Sequence, residues 1–284
     1  MIPGPQHQVD LVRRHLPSAP SILDIGCFDG RLLRAFRDGY PAARLFGRDV
    51  AESLRRLFPP EDGITFATDD SVWASGPFDL IVFSHSLQYV PGLNDLLQTC
   101  AAHLSPSGKL FVQVPNLASR PSSILLGDLH QHFTRASLTN LLSLNSYDVA
   151  VVEPTGFPRD LIMIASPTNG RREVRSCDGL HVVTEVVGTL DAMARKVIDL
   201  MRDGGGHVLG TTIDAAFVAS VLGSKLQNFV DEAPLPADAH FLGRPVRHPC
   251  TLAQNDRTFV PLGVGAAAAL RRLQGTYRGE FFLI

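Results

Sequence analysis

Residues 21–37 read SILDIGCFDGRLLRAFR: an apolar run, a turn holding two glycines, and an amphipathic run at helical spacing. A buried strand passing through a glycine turn into a helix opens an α/β sheet. Ligands of such sheets bind beyond the carboxyl ends of the strands, where this turn lies. Gly26 lets the backbone turn sharply, and Gly30 lets a ligand or a neighbouring strand approach the start of the helix. The spacing is Gly-x-x-x-Gly, so the dinucleotide fingerprint Gly-x-Gly-x-x-Gly is not met. Asp24 and Asp29 flank the turn, and a pyrophosphate there would face two carboxylates at close range. Asp49 follows a second apolar segment, where an acid accepts hydrogen bonds from ribose hydroxyls. The turn suits a nucleoside that carries positive charge and no phosphate. The plainer alternative has both acids capping the turn and helix, with Gly30 a packing glycine.

The rest of the first half repeats the alternation. Strands are expected at Ser21–Ile25, Arg44–Gly47, Ile64–Ala67, Phe78–Phe83, Lys109–Val114, Tyr147–Val152 and Leu161–Ala165, with helices at Gly30–Arg37, Ala51–Phe58, Gly92–His103 and Thr134–Leu144. Only residues 153–160 separate the last two strands, too few for a crossover helix, so that pair is expected to be an antiparallel hairpin. After Ser166 the composition shifts. Pro167–Gly170 and Arg171–Glu173 read as a linker. A helical pattern over His181–Met201 then leads into a second α/β pattern: strand His207–Gly210, helix Thr211–Leu222, strand Lys225–Val230, a proline-rich loop, strand Phe259–Leu262 and helix Gly265–Gln274. The division expected is residues 1–168 and 169–284, in line with ~150 residues per domain.

Bulk properties narrow the class. With 45% hydrophobic and 19% charged residues the chain can bury a core, and a formal charge of −2 gives no sign of a nucleic-acid partner. The longest apolar stretch, Phe259 to Leu270, falls short of the ~20 residues of a membrane span. No apolar leader segment follows the start, and four widely spaced cysteines make neither a disulfide framework nor a zinc site. A reduced, cytoplasmic setting is expected.

Several segments carry a resemblance to the class I S-adenosylmethionine-dependent methyltransferases. LDIGCFDG resembles their first motif and LFGRDVAESL their second, with Asp49 as the ribose-binding acid. FDLIVFSHSLQYVPGLNDLLQTCAAHLSPSGKLFVQVPN resembles the stretch from the fourth strand through the fifth. The resemblance implies a doubly wound seven-stranded methyltransferase sheet ending in an antiparallel hairpin, with S-adenosylmethionine as cofactor. It implies a cofactor site of Asp24, Gly26, Cys27, Phe28, Asp29, Gly30 and Asp49. Asp69 or Asp70 would meet the adenine amino group, and Ser84, His85 and Ser86 would line the reaction centre. Phe28 stands where the motif usually has its middle glycine; a bulky or polar residue there is similar to the sugar C-methyltransferase branch.

Leu126–Thr134, LGDLHQHFT, falls between the fifth strand and the next helix, with Thr134 a candidate N-cap. In an extended segment His130 and His132 share a face, and Asp128 is placed to orient one of them. A neutral imidazole there, or His85, would take the proton of an acceptor hydroxyl as the methyl group arrives. The alternatives are a capping and packing role, or two His and one Asp on a divalent ion.

HVLGTTID, SKLQNFVDEAP and FLGRPVRHP resemble the small Rossmann-like C-terminal domain of the sugar C-methyltransferase branch, with Asp231 after its second strand and a Gly243, Pro245, Val246 loop. That implies a substrate-holding role, with an interface or structural role as the alternative. The branch's cysteine-rich zinc module has no counterpart here, and Asp128-Leu129 stands where the branch has its catalytic Glu-His pair. The expectation is therefore O-methylation of a small-molecule or glycan acceptor, a sugar hydroxyl above all. C-methylation of a nucleotide-linked keto-sugar and a non-catalytic cofactor- or carbohydrate-binding module are the alternatives.

Overall fold

A computed structural model describes residues 4–152, 159–170, 179–233, 236, 238–261 and 266–284. The chain forms two compact units, one of residues 1–116 and 128–179, the other of residues 117–127 and 180–284. The turn of chain after the fifth strand, 117–127, thus groups with the second unit. The residues between the hairpin strands at 153–158, the charged part of the linker, Cys177, Leu262 and Gly265 lie outside the described residues.

The first unit runs α1 Pro5–Val12, β1 Ser21–Ile25, α2 Arg31–Gly39, β2 Arg44–Arg48, β3 Ile64–Ala67, β4 Phe78–Ser84, α3 Leu93–His103, β5 Leu104–Pro115, α4 Arg135–Leu144, β6 Tyr147–Val152 and β7 Asp160–Pro167. Its strands form one sheet in the order β3-β2-β1-β4-β5-β7-β6. β7 is antiparallel to both β5 and β6, and the remaining pairs are parallel. This is the doubly wound sheet with a terminal hairpin expected from the sequence. β1 is buried along its whole length, as befits a central parallel strand covered on both faces. Two apolar clusters form around the sheet, one around Phe83, Leu97 and Tyr147 and one around Phe36, Leu33 and Leu80. Each fully buried Leu or Phe contributes roughly 1.5–3 kcal/mol.

Helix ends follow their chemistry. Thr134 caps α4 through a capping box with Ser137, and Gly92 enters α3 from a left-handed conformation, φ 70°. The helix expected over Ala51–Phe58 is a 3-10 segment, Glu52–Leu57. Pro59 bars Phe58 from helical geometry, which ends the segment at Leu57.

The second unit runs α5 Gly179–Leu200, β8 Gly206–Leu209, α6 Ile213–Leu222, β9 Leu226–Val230, β10 His240–Phe241, β11 Arg244–Arg247, β12 Arg257–Val260, α7 Ala266–Thr276 and β13 Glu280–Leu283. The sheet order is β10-β11-β9-β8-β12-β13, with only the β10–β11 pair antiparallel. Three strands were named from the sequence and six form among the described residues; β10 has two residues, β11 contains Pro245, and β13 is a four-residue run, EFFL, at the end of the given sequence. Among the described residues no helix is long and apolar enough to cross a membrane.

Candidate active site

The site gathers at the carboxyl ends of β1, β2 and β4. Gly26 leaves β1 at φ 77° and donates its N–H to the Arg48 carbonyl at 2.7 Å. A Cβ on Gly26 would lie 2.3 Å from Ser86 Cβ, and the Ser86 hydroxyl donates to the Ile25 carbonyl. The chain leaving β4 is therefore locked against the glycine turn. Phe28 takes φ 44°, the left-handed conformation that a glycine would take without cost, and leaves its ring 64% exposed. Gly30, at φ 73°, abuts the Phe58 ring, 2.5 Å from an added Cβ.

The carboxylates divide into three environments. Asp24, on β1, is 2% exposed, and its Oδ1 has no hydrogen-bond partner among the described residues. Burial, and then the Asp49 charge, push its pKa up to about 7. Asp49 holds the start of the following segment through Oδ1, which accepts from Ala51 N–H at 3.1 Å, and clasps the turn through Oδ2, which accepts from Phe28 N–H at 3.1 Å. Asp29 faces Arg31, with Oδ2 2.8 Å from Nε and Oδ1 accepting the Arg31 N–H at 3.2 Å. The second carboxylate acting on Asp24 is thus Asp49, and Asp29 caps α2. Cys27 is buried; burial, then Asp24 and Asp49, push its thiol well above the usual range, so it packs against Gly47 as an inert group.

At the end of β3, Asp69 Oδ1 accepts the Ser71 N–H at 2.9 Å, and hydrogen bonds from Ser71 hold its pKa below the usual range. Asp70 pairs with Arg48 at 2.9 Å.

His85 follows β4 in a left-handed conformation, φ 57°, its side chain 40% exposed. Such strain in a non-glycine residue gathers at functional sites and costs of order 1–3 kcal/mol. Its N–H donates to the Gln113 carbonyl at 2.8 Å, and its carbonyl accepts from Gln88 Nε2 at 2.7 Å. The ring Nε2 lies 3.4 Å from Asp160 Oδ2 and 3.2 Å from Gln113 Nε2. Gln113 also donates to Asp160 Oδ2 at 2.7 Å, and its Oε1 accepts from Gln8 Nε2, which reaches Ser84 Oγ as well. With both amide hydrogens of Gln113 spent on Asp160 and His85, the network assigns a lone pair to Nε2 of the neutral ring. Gln8, Gln113 and Asp160 were not singled out from the sequence, although each is a polar residue interrupting an apolar pattern.

The histidine segment joins the same end of the sheet through its backbone: the His130 and Gln131 N–H groups donate to the Gln88 carbonyl at 2.9 and 3.1 Å. Burial lowers the His132 pKa, which keeps that ring neutral. Among the described residues no hydrogen bond joins Asp128 to His130 or His132, so the expected orienting role of Asp128 is not seen. The carboxylate brought to a histidine is Asp160, beside His85.

A glycine turn after the first strand, an acid clasping it and a reversed seventh strand are together the marks of a methyltransferase sheet. A protein-family model described as "Methyltransferase domain" matches residues 6–157. Trans-aconitate 2-methyltransferase of Streptomyces coelicolor is 33% identical over 147 residues, covering 49% of this chain and 48% of that protein. The protein of the same name from Variovorax paradoxus is 31% identical over 241 residues, covering 82% and 78%. A solved S-adenosylmethionine-dependent methyltransferase from Archaeoglobus fulgidus aligns at TM-score 0.46 and 16% identity over 56% of this chain and 91% of that one. The chain spans about half the length of most of the curated relatives it matches, the Variovorax protein being longer matched. The chain belongs to the class I S-adenosylmethionine-dependent methyltransferases. Its cofactor is S-adenosylmethionine, and the buried, unpartnered Asp24 Oδ1 fits a ligand that brings positive charge to this turn. The sugar C-methyltransferase branch is not carried by these relatives.

Proposed function

We propose that the protein transfers a methyl group from S-adenosylmethionine to an oxygen of a small polar acceptor. The observation that carries this reading is the Asp24–Asp49 pair around the glycine turn: one buried acid whose Oδ1 has no partner among the described residues, and one acid that fixes the turn through both of its oxygens. Asp49 would accept the ribose hydroxyls, with Asp24 drawing the cationic end. Gly26, Cys27, Phe28 and Gly30 would supply the backbone wall, with Asp29 held at its edge by Arg31. Arg48 occupies Asp70, which favours Asp69 for the adenine amino group. Ser84 and Ser86 fix the wall on the β4 side. Bound there, the cofactor supplies an electrophilic methyl carbon, and the protein's work is positioning a nucleophile in line with it.

His85 would hold the acceptor, whose hydroxyl would displace the Gln113 amide from the one lone pair of Nε2 and give up its proton there, with His130 and His132 alongside as acceptor contacts. This favours a hydroxyl, such as that of a sugar, over a carboxylate, which is ionised at neutral pH and needs no base. A carboxylate acceptor is the second reading, favoured by the name of the relatives, trans-aconitate 2-methyltransferase. Titration calorimetry with S-adenosylhomocysteine, on the parent and Asp49→Ala, tests the cofactor site. Loss of binding in the variant is expected, and equal behaviour of the two proteins removes the reading. Labelled S-adenosylmethionine with trans-aconitate in one arm and a fractionated cell extract in the other separates the two acceptors. Cofactor binding without methyl transfer in either arm would point to a non-catalytic module.

A further inference from the structure

Phe28 holds a strained position from which the fold gains little. Gly30 donates its N–H to the Cys27 carbonyl at 2.9 Å, which closes a tight turn with Phe28 at its second position. The backbone there takes φ 44°, in the left-handed region. Such positions are filled by glycine, asparagine or aspartate, because the Cβ of a larger residue crowds the following carbonyl. A buried phenyl could offset that strain by packing. This one is 64% exposed and belongs to neither apolar cluster of the first unit. Among the described residues it also pairs with no other ring. Backbone strain held without a packing gain points to a ligand.

The ring is free of the protein's own cations as well. Among the described residues, arginines stand over the rings of Tyr40, Phe46, Phe58, Phe66 and Phe282, at 4.8–5.8 Å from the ring centroids. None stands over Phe28. Arg31, three residues on, is held instead by Asp29, with Nε 2.8 Å from Oδ2.

The order of the strands says what passes this ring. The parallel run β3-β2-β1-β4 sets Asp69, Asp49, Phe28 and Ser84–Ser86 in that sequence along the carboxyl edge of the sheet. With the adenine at Asp69 and the ribose at Asp49, the atom that joins the ribose to the reaction centre falls at the turn after β1. In S-adenosylmethionine that atom is the sulfonium. The Phe28 N–H donates to Asp49 Oδ2 at 3.1 Å, which keeps Phe28 beside the ribose acid. A cation within about 6 Å of a ring centroid is attracted to the negative face of the ring. Methyl transfer leaves the carbon–sulfur bond pair on sulfur, so the product keeps the shape of the donor and loses its charge.

We propose that the Phe28 side chain determines specificity for the charged methyl donor, attracting the sulfonium through its ring and holding the thioether product less tightly. The inference rests on the reading of the Asp49 turn as the cofactor site. It gives a side-chain role to the position where the family's first motif usually has a glycine.

The test measures the affinity of the full chain for S-adenosylmethionine and for S-adenosylhomocysteine by titration calorimetry, with urea midpoints of the unliganded proteins alongside. Phe28→Leu keeps an apolar side chain and loses the ring. Its ratio of donor affinity to product affinity should fall roughly two- to thirtyfold below the parent's, through weaker donor binding. Phe28→Tyr, which keeps a ring, should restore the ratio. Phe28→Gly should lower the ratio in the same range and raise the urea midpoint, because glycine takes φ 44° without strain. An unchanged ratio in both Phe28→Leu and Phe28→Gly overturns the proposal, whatever the midpoints do. So does a ratio that falls in Phe28→Leu and is not restored in Phe28→Tyr. Asp49→Ala separates the two levels of the argument. If it binds both ligands like the parent, the reading of the turn as the cofactor site fails and this inference fails with it. If it loses binding while the Phe28 variants keep the parent's ratio, the inference alone falls.

Discussion

His85 Nε2 and Asp160 Oδ2 lie 3.4 Å apart, with the Gln113 amide holding both in place. In the neutral state Nε2 accepts from Gln113; an acceptor hydroxyl must take the place of that amide, and the proton Nε2 then gains is met by the buried Asp160 carboxylate. A base of this kind contributes typically 10²–10⁴-fold to a proton transfer. With a hydroxyl acceptor, His85→Gln should lower kcat by roughly a hundredfold and Asp160→Asn by roughly tenfold or more, with little change in KM for S-adenosylmethionine. The double variant should fall no further than His85→Gln, because the two side chains act as one unit. With trans-aconitate as acceptor the same variants should leave kcat near the parent value. Single-turnover rates with labelled cofactor measure all four, and equal losses with both acceptors would refute a proton-transfer role.

Asp24 makes stability depend on pH in an unusual direction. Its ordinary pKa is 3.8, and burial followed by the Asp49 charge raises it to about 7 in the folded chain. Between those values the folded protein keeps a proton that the unfolded chain has lost. Its contribution is therefore fully present below about 4 and is lost as pH rises through 7. Asp24→Asn, which cannot ionise, should gain on the parent by an order of a few kcal/mol as pH is raised from 5 to 8. Urea midpoints at the two pH values measure this. The same variant should bind S-adenosylhomocysteine more weakly, separating a cofactor-holding acid from one that only burdens the fold.

Much of the first unit was legible in the chain because its signals are local. β1, the glycine turn and Asp49 sit in or beside apolar runs, and the hairpin follows from a link too short for a crossover. The His85 network was not legible. Gln8, Gln113 and Asp160 are 105 and 47 residues apart along the chain; Gln113 and Asp160 meet because β5 and β7 are neighbours in the sheet, and Gln8 reaches them from α1. Nothing periodic marks them. The pair His130 and His132 drew attention by spacing, but the segment docks through its peptide N–H groups on Gln88, not through a bond from Asp128.

Arg34 ties the glycine turn to the segment behind β2. Its Nη1 donates to the Asp29 carbonyl and its Nη2 to the Leu57 carbonyl, each at 2.5 Å, and Nε donates to Asp62 Oδ2 at 2.9 Å. The Arg34 hydrogen bond holds the Asp62 carboxyl below its usual range, so this stabilisation is present above pH 4 and lost as pH falls through the folded-state value. Arg34→Met strands two carbonyls, leaves Asp62 with Arg37 alone, and should cost about 1–3 kcal/mol. Its deficit should shrink as pH falls below 4 towards the lowered folded-state value of Asp62. Denaturant midpoints at pH 7 and pH 3 decide it; an equal deficit at both would mean that packing, and not the carboxylate, carries the effect.

Gly26 meets two separate demands, and they can be separated by mutation. A side chain at φ 77° costs about 1–2 kcal/mol in backbone strain. The Ser86 Cβ, 2.3 Å from where the new Cβ would stand, adds an overpacking cost of about 1–3 kcal/mol. Gly26→Ala should therefore lower the unfolding free energy by the sum of the two and weaken S-adenosylhomocysteine binding, since the turn can relax only by swinging Ser86 and the neighbouring His85 away. Ser86→Gly in the same chain opens the space and leaves the strain. The double variant should recover the packing part of the stability and not the rest. Melting curves for the parent, both single variants and the double complete the cycle, and a double variant no more stable than Gly26→Ala would show that the close approach of β4 to the turn does not govern this residue.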